Sequence, residues 1–519
     1  MNKYIFVLIA LGLLFNAVCW SHDVEKGSAA SQFKDPDNHD DHAKYPHHHH
    51  NDDQNNHAHN HEDGKQVRPH PIKIAIVGAG IGGTSCAYYI NKILSNSSSS
   101  IIPEITIYEK EKVGGRARIV DIEGKHAELG GSIIHPLNEN MLNMIKDVGL
   151  ETVRDEAMSD NYYSFWDGNQ VTFSESPYPF VDIIKMLVNY YWDPIRFKNS
   201  RNEIVGKFLE NYKRVEPFHS VNEFYQQLGL QNTTNQTAAD YFFNEVGISK
   251  DFVEKVLSTA IRVNYNQHYD EISAFAAYIG LVGTEDGLFA IKGGNYQLPK
   301  ALIKKSNSKL VTSQVKEIEK IIDANEKTLY KIKTSQDKEG VLYDIVIIAT
   351  PLELSDGIKL KGLNSKEKII KRDFRKVHVY LMAADSLNPT FFGLPSTHPP
   401  PANIITTHNK SLPFVSVCKN TRGKISDNRT VYKIFAHKEL PQSYLDDMFK
   451  NHTKLVYHIW SAYPVLKPTN DYPPIQLDEN LYYLNAFEQS ISTMETETIA
   501  SKNIAKLIAK SLKRPYGLL

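Results

Sequence analysis

Cysteine is scarce in this chain, with three among 519 residues. Cys19 lies at the end of an N-terminal apolar segment, so only Cys86 and Cys418 belong to the body of the protein. Two cysteines cannot build the disulfide framework of a small secreted domain, and the fold must therefore depend on a hydrophobic core. A single bridge between them is one interpretation. The favoured one is that Cys86 is a small packing residue on a helix.

An excess of either charge is also absent, because 59 Lys and Arg residues are balanced by 60 Asp and Glu residues and the formal net charge is −1. No basic stripe with interleaved aromatic residues is present, so we expect no nucleic-acid partner.

The sequence also lacks an HExxH zinc motif, a serine-hydrolase order of Ser, His and Asp, and a phosphate-transfer motif. These absences argue against metal hydrolases and phosphotransferases.

Long hydrophobic runs are missing apart from residues 5–18. Lys3 before this run and Ala17-x-Cys19 after it predict a secretory signal peptide over residues 1–19. The run is shorter than the about 20 residues of a spanning helix, so we predict no transmembrane segment after cleavage, and a retained anchor is the less favoured alternative. The predicted location is the secretory pathway, in the lysosome or outside the cell.

Six N-glycosylation sequons fit this route: Asn96, Asn232, Asn235, Asn409, Asn428 and Asn451.

Residues 20–71 form a polar, low-complexity segment that is predicted to be disordered, because it has too few apolar residues to build a core. The segment is rich in histidine, and the imidazole side chains can bind zinc or copper, or change charge near endosomal pH. The favoured alternative is a solvated linker with no metal role. The candidate metal ligands are His47, His48, His49, His50, His57, His59 and His61.

The body begins with a strand–turn–helix pattern that predicts a dinucleotide site. The apolar residues Ile72, Ile74, Ile76 and Val77 are typical of a buried parallel strand, and Gly78-x-Gly80-x-x-Gly83 follows at once. These glycines allow a tight turn, the approach of the backbone to a pyrophosphate, and close packing of helix on strand. A second strand ends at Glu109, whose carboxylate can accept hydrogen bonds from a ribose.

A second glycine pair favours FAD over a nicotinamide dinucleotide. Gly114-Gly115-Arg116 follows the ribose acid, and Gly130-Gly131 comes shortly afterwards. Arg116 can offer a forked donor to the pyrophosphate. This run resembles the GG motif of FAD enzymes in the amine oxidase and phytoene desaturase superfamily, and the resemblance implies an FAD cofactor.

The same resemblance assigns later residues to the cofactor. In the superfamily, the position that matches Val315 lies by the adenine, and the closing element that matches Thr493, Met494 and Glu495 completes the flavin site. A helix that starts at this element would present its backbone amides to an electron-rich atom of the flavin.

We predict an α/β fold in which a Rossmann-type FAD-binding domain is interleaved with a mixed α+β substrate domain. Residues 72–136, 291–360 and 476–515 are assigned to the FAD-binding domain, and residues 137–290 and 361–475 to the substrate domain. Strands are predicted at 311–318, 343–350, 377–383, 432–436 and 482–484. The aromatic residues between 162 and 192 suggest an apolar pocket.

A narrower resemblance points to a substrate. Arg262-Val263-Asn264-Tyr265, the Gly293-Gly294-Asn295 turn and the closing LYYLN and STME runs resemble the prenylcysteine oxidase family. The resemblance covers essentially the whole body from Lys73. It implies oxidation of S-farnesyl- or S-geranylgeranyl-cysteine by O2 and water to a prenyl aldehyde, cysteine and H2O2, during degradation of prenylated proteins.

Asn264 and Tyr265 are the candidate catalytic residues, because they belong to this family-specific run; the alternative is a buried hydrogen-bonded turn. Arg262 is predicted either to hold the substrate carboxylate or to make a structural ion pair. His268 and His378 are candidates for proton movement, with a structural role as the favoured alternative. Two other functions stay open, namely a related oxidase of a lipophilic amine and a non-catalytic flavin-fold protein that binds or carries a metal.

Overall fold

The computed structural model describes residues 70–95, 101–154, 162–284, 287–355, 357–363, 372–420 and 424–513. The predicted signal peptide, residues 20–69 of the histidine-rich segment with all its candidate metal ligands, and the Asn96 sequon lie outside these residues. The last two residues of the segment, His70 and Pro71, were predicted to be disordered but begin a strand. Within them, no helix is both long and apolar enough to cross a membrane.

The strands are β1 (His70–Val77), β2 (Ile101–Glu109), β3 (Ile119–Ile122), β4 (Lys125–Glu128), β5 (Thr152–Arg154), β6 (Tyr163–Trp166), β7 (Val171–Ser174), β8 (Phe289–Ile291), β9 (Lys309–Thr312), β10 (Val315–Ile322), β11 (Thr328–Thr334), β12 (Val341–Tyr343), β13 (Ile345–Ile348), β14 (Lys359–Lys361), β15 (Phe374–Leu387), β16 (Asn403–Thr406), β17 (Phe414–Lys419), β18 (Thr430–Ala436), β19 (Phe449–Pro464), β20 (Gln476–Asp478) and β21 (Leu481–Tyr483).

The α-helices of the described residues are α1 (Ile81–Ser95), α2 (Glu139–Asp147), α3 (Pro179–Tyr190), α4 (Asp193–Leu209), α5 (Val221–Gln227), α6 (Gln231–Asn235), α7 (Ala238–Asp240), α8 (Lys250–Phe252), α9 (Ser258–Tyr265), α10 (Ala274–Val282), α11 (Gln297–Lys305), α12 (Gln442–Met448) and α13 (Met494–Ser511). Short 3-10 helices cover Glu210–Lys213, Pro389–Phe392 and Leu484–Gln489, and π-helical turns cover Tyr241–Val246 and Val253–Leu257.

A six-stranded sheet has the order β20-β21-β13-β1-β2-β9. The pairs from β21 to β9 are parallel, and only the edge strand β20 is antiparallel. Residues 74–77 of β1 and all of β13 are apolar runs with buried side chains, as expected for parallel strands that are covered on both faces. The predicted α/β fold with a Rossmann-type sheet is confirmed.

A seven-stranded sheet has the order β19-β15-β18-β17-β16-β6-β7, and it is antiparallel except between β16 and β6. The long strand β15 supplies two cores by alternation: Tyr380 and Met382 pack on one face, and Val379 and Leu381 on the other. The strands of this sheet come from parts of the chain that alternate with those of the six-stranded sheet. The predicted domain boundaries stay predictions.

One predicted strand is wrong as a single element. Residues 311–318 are divided between β9, which pairs with β2 in the six-stranded sheet, and β10, which pairs with β11 in a separate four-stranded sheet. The Ser313 amide donates to the Val311 carbonyl oxygen (3.1 Å) and turns the chain between them. The apolar pattern runs through both strands and does not reveal that they belong to different sheets.

Both cysteines of the body are free thiols. Cys86 is fully buried on α1, so the packing interpretation is confirmed and a Cys86–Cys418 bridge is excluded.

Candidate active site

The glycine loop after β1 makes contacts that require glycine. Gly78 has a φ of 115°. A Cβ on Gly78 would lie 2.5 Å from the Ala349 carbonyl oxygen, and a Cβ on Gly83 would lie 2.0 Å from the Gly78 carbonyl oxygen. Side chains there would push α1 and β13 away from β1. Gly80 differs, because its Cβ would come no nearer than 3.9 Å to Gly115, and its backbone lines a cavity.

Glu109 ends β2 beside this loop. One carboxylate oxygen accepts from the Ala79 amide (3.0 Å), and the other accepts from the Glu111 amide (2.9 Å). These two bonds fix the carboxylate at the cavity wall. Each oxygen keeps a second lone pair, so Glu109 can still accept hydrogen bonds from ribose hydroxyls.

The second glycine pair lies directly against the first loop. Gly114 forms a bridge with Gly80, and its amide donates to the Ala79 carbonyl oxygen (2.9 Å). Gly114 and Gly115 have φ values of 120° and 58°, which favour glycine. Two motifs that are far apart in sequence therefore form one wall of exposed backbone.

Arg116 lines the cavity next to these glycines, but its guanidinium already has protein partners. Its Nη1 donates to the Ala462 carbonyl oxygen (2.8 Å) and forms an ion pair with the buried Glu488 carboxylate. Burial favours a lower pKa for Arg116, but the charge and hydrogen bond of Glu488 outweigh this effect and raise its pKa. Both bonds use Nη1, and a guanidinium has further donors for a pyrophosphate.

Two buried glutamates at this wall were not anticipated from the sequence. Glu488 pairs with Arg116, and Glu497, on the first turns of α13, lines the cavity. Burial and the neighbouring Glu488 raise the pKa of Glu497 well above its ordinary value, although Arg116 opposes this shift. The Glu497 Oε1 atom is buried without a hydrogen-bond partner among the described residues. A protonated Glu497 can therefore donate to an acceptor that enters the cavity. The available signal was the presence of three glutamates, Glu488, Glu495 and Glu497, within ten residues of the closing run.

Asn295, the last residue of the Gly293-Gly294-Asn295 turn, contacts the Gly130-Gly131 pair. Its buried side chain donates from Nδ2 to the Gly131 carbonyl oxygen (2.9 Å) and accepts from the Ile291 amide (2.9 Å). Its amide donates to a Glu128 carboxylate oxygen (2.7 Å). A Cβ on Gly130 would overlap the Trp460 ring at 1.9 Å. Asn295 thus holds a segment in which position 130 leaves no room for a side chain.

The closing helix α13 begins as predicted. Thr493 is its N-cap, with Oγ1 accepting from the Thr496 amide (3.0 Å), while Thr496 Oγ1 accepts from the Thr493 amide (3.1 Å). Thr493 and Met494 line the cavity, and the Met494 sulfur would lie 3.4 Å from a Cβ on Gly131. This reciprocal cap fixes a helix N-terminus at the cavity.

The side chain of Glu495 points to a structural role. Its carboxylate accepts from the amides of Asn140 (2.9 Å) and Met141 (3.0 Å), and from the Tyr212 hydroxyl (2.7 Å). It therefore caps the N-terminus of α2. Burial raises the pKa of Glu495 to about 7 despite these bonds. Because these bonds occupy the carboxylate, any contact of Glu495 with a cofactor would be made by its backbone.

One cavity of about 1760 Å³ connects these elements to a second region. The dinucleotide chamber is the part lined by Gly80, Glu109, Gly115, Val315 and Thr493. The apolar chamber is the part lined by Phe197, Phe208, Phe252, Val256 and Ile279. Ligand pockets usually enclose about 300–1,000 Å³, so the cavity has room for a cofactor together with a second ligand.

The seven-stranded sheet supplies one wall of this cavity through two cross-strand rows. The polar row joins Tyr163, Asn403, Cys418 and Lys433, which are register partners on β6, β16, β17 and β18. The apolar row, one pleat further on, joins Phe165, Ile405, Ser416 and Phe435. Both rows face the cavity because alternate residues of a strand share a face. No local sequence pattern pairs these four strands, so neither row was predicted.

Asn264 and Tyr265 both line the cavity at the end of α9. The Asn264 amide nitrogen donates to the carbonyl oxygens of Ala260 (3.2 Å) and Gly280 (2.7 Å), which ties α9 to α10. The Tyr265 ring packs edge-on against Tyr463, with ring centres 5.5 Å apart, and burial raises the pKa of its hydroxyl. Their positions place both residues within reach of a ligand, and their catalytic role stays a prediction.

Neither sequence interpretation of Arg262 is correct. Arg262 is buried, does not line the cavity, and donates from Nη1 to the carbonyl oxygens of Thr407 (2.9 Å) and Asn409 (2.9 Å). No acidic partner occurs among the described residues, and burial lowers its pKa to about 10. Arg262 is a structural cation that fixes the chain after β16.

His268 and His378 also lie away from the cavity lining. The His268 Nδ1 atom is 3.4 Å from His408 Nδ1, and burial together with the charge of Arg262 lowers the His268 pKa to about 3. His378 Nδ1 is 2.8 Å from the Tyr457 hydroxyl, and burial lowers its pKa. Both contacts fit the structural alternative.

The dinucleotide chamber fits FAD. It offers a carboxylate for the ribose, exposed glycine backbone for the pyrophosphate, and a capped helix N-terminus for the flavin. Among the described residues, no group of three or more His, Cys, Asp or Glu side chains has the geometry of a metal site.

Comparison with known proteins agrees with this site. Residues 173–517 match the prenylcysteine lyase family, and residues 76–148 match an NAD(P)-binding Rossmann-like domain family. Prenylcysteine oxidase 1 of Homo sapiens is 30% identical over 465 residues, covering 86% of this chain and 90% of that protein. Farnesylcysteine lyase of Arabidopsis thaliana is 33% identical over 456 residues, covering 84% and 88%.

Solved structures show the same fold at low identity. A triple mutant of putrescine oxidase has a TM-score of 0.56 at 13% identity, over 85% of this chain and 99% of that one. Cyclohexylamine oxidase from Brevibacterium oxydans has a TM-score of 0.54 at 16% identity, over 85% and 100%.

The fold and the site together define an FAD-dependent oxidoreductase with a Rossmann-type cofactor domain. The family match covers more than half of the chain, and the relatives align along most of both sequences. The chain belongs to the prenylcysteine lyase family, as its Arg262–Tyr265 and Gly293–Asn295 motifs predicted.

Proposed function

We propose that this protein cleaves S-prenyl-L-cysteine with O2 and water to a prenyl aldehyde, cysteine and H2O2, in the breakdown of prenylated proteins. One observation carries the proposal: a single cavity joins a chamber that fits FAD to a chamber with apolar walls. Family membership, with relatives named prenylcysteine oxidase 1 and farnesylcysteine lyase, supports the substrate. Bound FAD supplies the two-electron acceptor for oxidation of the allylic carbon beside sulfur.

The apolar chamber provides the energy that holds the prenyl chain. Phe197 and Phe208 come from α4, Phe252 ends α8, and Ile279 belongs to α10, so several elements surround one space. Each CH2 group moved from water into such surroundings contributes about 0.8 kcal/mol. Burial of the chain then fixes the reacting carbon relative to the cofactor, which is the main task left to the protein.

The polar row provides groups for the cysteine end of the substrate. Lys433 carries a positive charge that suits the substrate carboxylate, and Asn403, whose Oδ1 accepts from the Lys419 amide (3.0 Å), lies beside it in the row. The Lys433 ammonium is held by the Glu128 carbonyl oxygen (3.3 Å) and lies 4.9 Å from the centre of the Phe435 ring. The adjacent apolar row would then accompany the prenyl chain.

A matched pair of thioethers tests the function. FAD-loaded protein with S-farnesyl-L-cysteine and O2 should release farnesal, cysteine and H2O2 in equal amounts. S-dodecyl-L-cysteine is a control of similar polarity without an allylic carbon, and it should give none. Absence of aldehyde from farnesylcysteine with FAD-loaded protein would refute the proposal.

We further propose that the protein is a glycoprotein of the secretory pathway, retained in the lysosome or secreted. The side chains of Asn232, Asn235, Asn428 and Asn451 are exposed, as glycan acceptors must be. Asn409 differs, because its half-buried amide nitrogen donates to the Asp167 carbonyl oxygen (2.9 Å). Glycopeptide mass spectrometry should find glycans on some of the four exposed sites and none on Asn409. An unglycosylated protein retained in the cytosol would contradict this proposal.

A further inference from the structure

The helix α3 is apolar on the side that faces solvent. Phe180, Ile184, Val188 and Tyr191 are spaced by four, four and three residues, so they form one stripe along the helix and its C-cap. Their exposed fractions are 54%, 38%, 68% and 77%. We call these four residues the α3 stripe. A solvent-facing helix normally carries polar side chains at such positions.

The opposite side of α3 packs against the core. Met186 and Tyr190 pack against buried residues, and the Tyr190 ring is 5.1 Å from the Phe252 ring at the apolar chamber. The helix is therefore anchored by one face, and the α3 stripe is not needed for this anchoring. Tyr191 even adopts a φ of 51°, a backbone region that favours glycine, while its ring projects outward.

We infer that the α3 stripe is a docking surface for the interface of a phospholipid bilayer. A 12-residue helix is about 18 Å long, too short to span a hydrocarbon core of about 30 Å, so α3 would lie in the plane of the membrane. Exposed Tyr178 and Trp192 flank the stripe, and both residue types favour the membrane–water boundary.

The charges around the stripe favour an anionic lipid surface. Residues 178–201 contain two acids, and each pairs with a base of the same segment: Asp182 with Lys185 (3.0 Å) and Asp193 with Arg196 (3.8 Å). Two more basic residues, Lys198 and Arg201, leave the segment with a formal net charge of +2. A net positive rim around an apolar stripe matches a membrane that contains anionic lipid.

The face of α3 opposite the stripe borders the cavity. Met186 on α3, and Pro194 and Phe197 on the following helix, line the apolar chamber. Docking would therefore bring the apolar chamber to the surface from which a prenylated compound departs. This last step depends on the proposed function, whereas docking itself does not.

Vesicle flotation tests docking without reference to catalysis. The full-length protein should float with phosphatidylcholine vesicles that contain phosphatidylserine, and less with phosphatidylcholine alone. The triple variant Ile184→Asn, Val188→Asn, Tyr191→Asn should lose at least tenfold in vesicle partitioning. Ile322→Asn, which removes an equally exposed apolar side chain on β10, should bind like the parent protein.

Two outcomes would overturn the inference: no flotation of the parent protein with either vesicle, or equal flotation of the triple variant. Sedimentation that shows a dimer dissolved by the triple substitution would identify a second copy as the occupant and would also overturn it. Activity on soluble farnesylcysteine should be unchanged in the triple variant. A protein that floats but releases no farnesal would refute the proposed function and leave the docking surface standing.

Discussion

At the scale of single residues, Asn295 has more consequences than its small side chain suggests. It satisfies the buried Gly131 carbonyl and the Ile291 amide at once. Asn295→Ala would leave both groups without partners, at a cost of about 1–3 kcal/mol each. We expect a lower melting temperature and loss of FAD from the purified protein. As a control, Asn211→Ala removes a buried bond to the Phe208 carbonyl and should lower stability while FAD is retained. Equal FAD content in both variants would contradict the role assigned to Asn295.

In the proposed binding mode, Lys433 holds the cysteine end of the substrate. Loss of a hydrogen bond to a charged group costs about 1.5–3 kcal/mol, so Lys433→Met should raise the KM for farnesylcysteine about tenfold or more. Lys433→Arg keeps the charge and should recover much of this loss. Steady-state kinetics would separate KM from kcat. An unchanged KM in Lys433→Met would assign the cysteine end of the substrate to another part of the cavity.

Glu128 gives the protein a pH-dependent stability of defined sign. Burial raises its pKa from an ordinary value of 4.5 to about 7. A carboxyl with a raised pKa stabilises the folded state below the ordinary pKa, and this contribution is lost as the pH rises through about 7. Glu128→Gln keeps the acceptor for the Asn295 amide and removes the titration. At pH 8 the variant should therefore melt at a higher temperature than the parent, with a free energy of unfolding larger by on the order of 1–3 kcal/mol. At pH 5 the two proteins should melt at similar temperatures. A melting difference that does not change with pH would exclude this titration.

At the scale of elements, the start of α13 combines stability with the cofactor site. Removing an N-cap hydroxyl costs about 1 kcal/mol. Thr493→Ala should therefore lower stability and also weaken FAD retention, because the helix N-terminus lines the cavity. Ser220, which caps α5 away from the cavity lining, is the matched control. Ser220→Ala should lower stability to a similar degree with full FAD content, and a parallel loss of FAD would mean that the effect is only global.

Elements with a local chemical signature were predictable. The β1–loop–α1 unit follows from an apolar run and three glycines, and the cap of α13 follows from the Ser492–Glu495 run. The division between β9 and β10 was missed, because strand partners far along the chain determine which sheet each strand joins. Arg262 was misread for the same reason, since its carbonyl partners lie about 150 residues away. The polar row is also a product of long-range register.

At the scale of the whole molecule, the interleaved chain makes one cavity from two sheets. The six-stranded sheet and its glycine loops build the dinucleotide chamber, while the seven-stranded sheet and the helices between β7 and β8 build the rest. Sequence motifs identify the first part because cofactor contacts are local and glycine-dependent. The rest of the cavity depends on the register of four strands and the packing of several helices, which no local motif predicts. For this part, the sequence showed only the resemblance to a family.

The most direct test of this account is the visible absorption spectrum of the purified protein during anaerobic addition of farnesylcysteine. The account predicts an oxidised flavin spectrum that bleaches on addition and returns when air is admitted, with release of farnesal. A bound-flavin spectrum that farnesylcysteine leaves unchanged would contradict it.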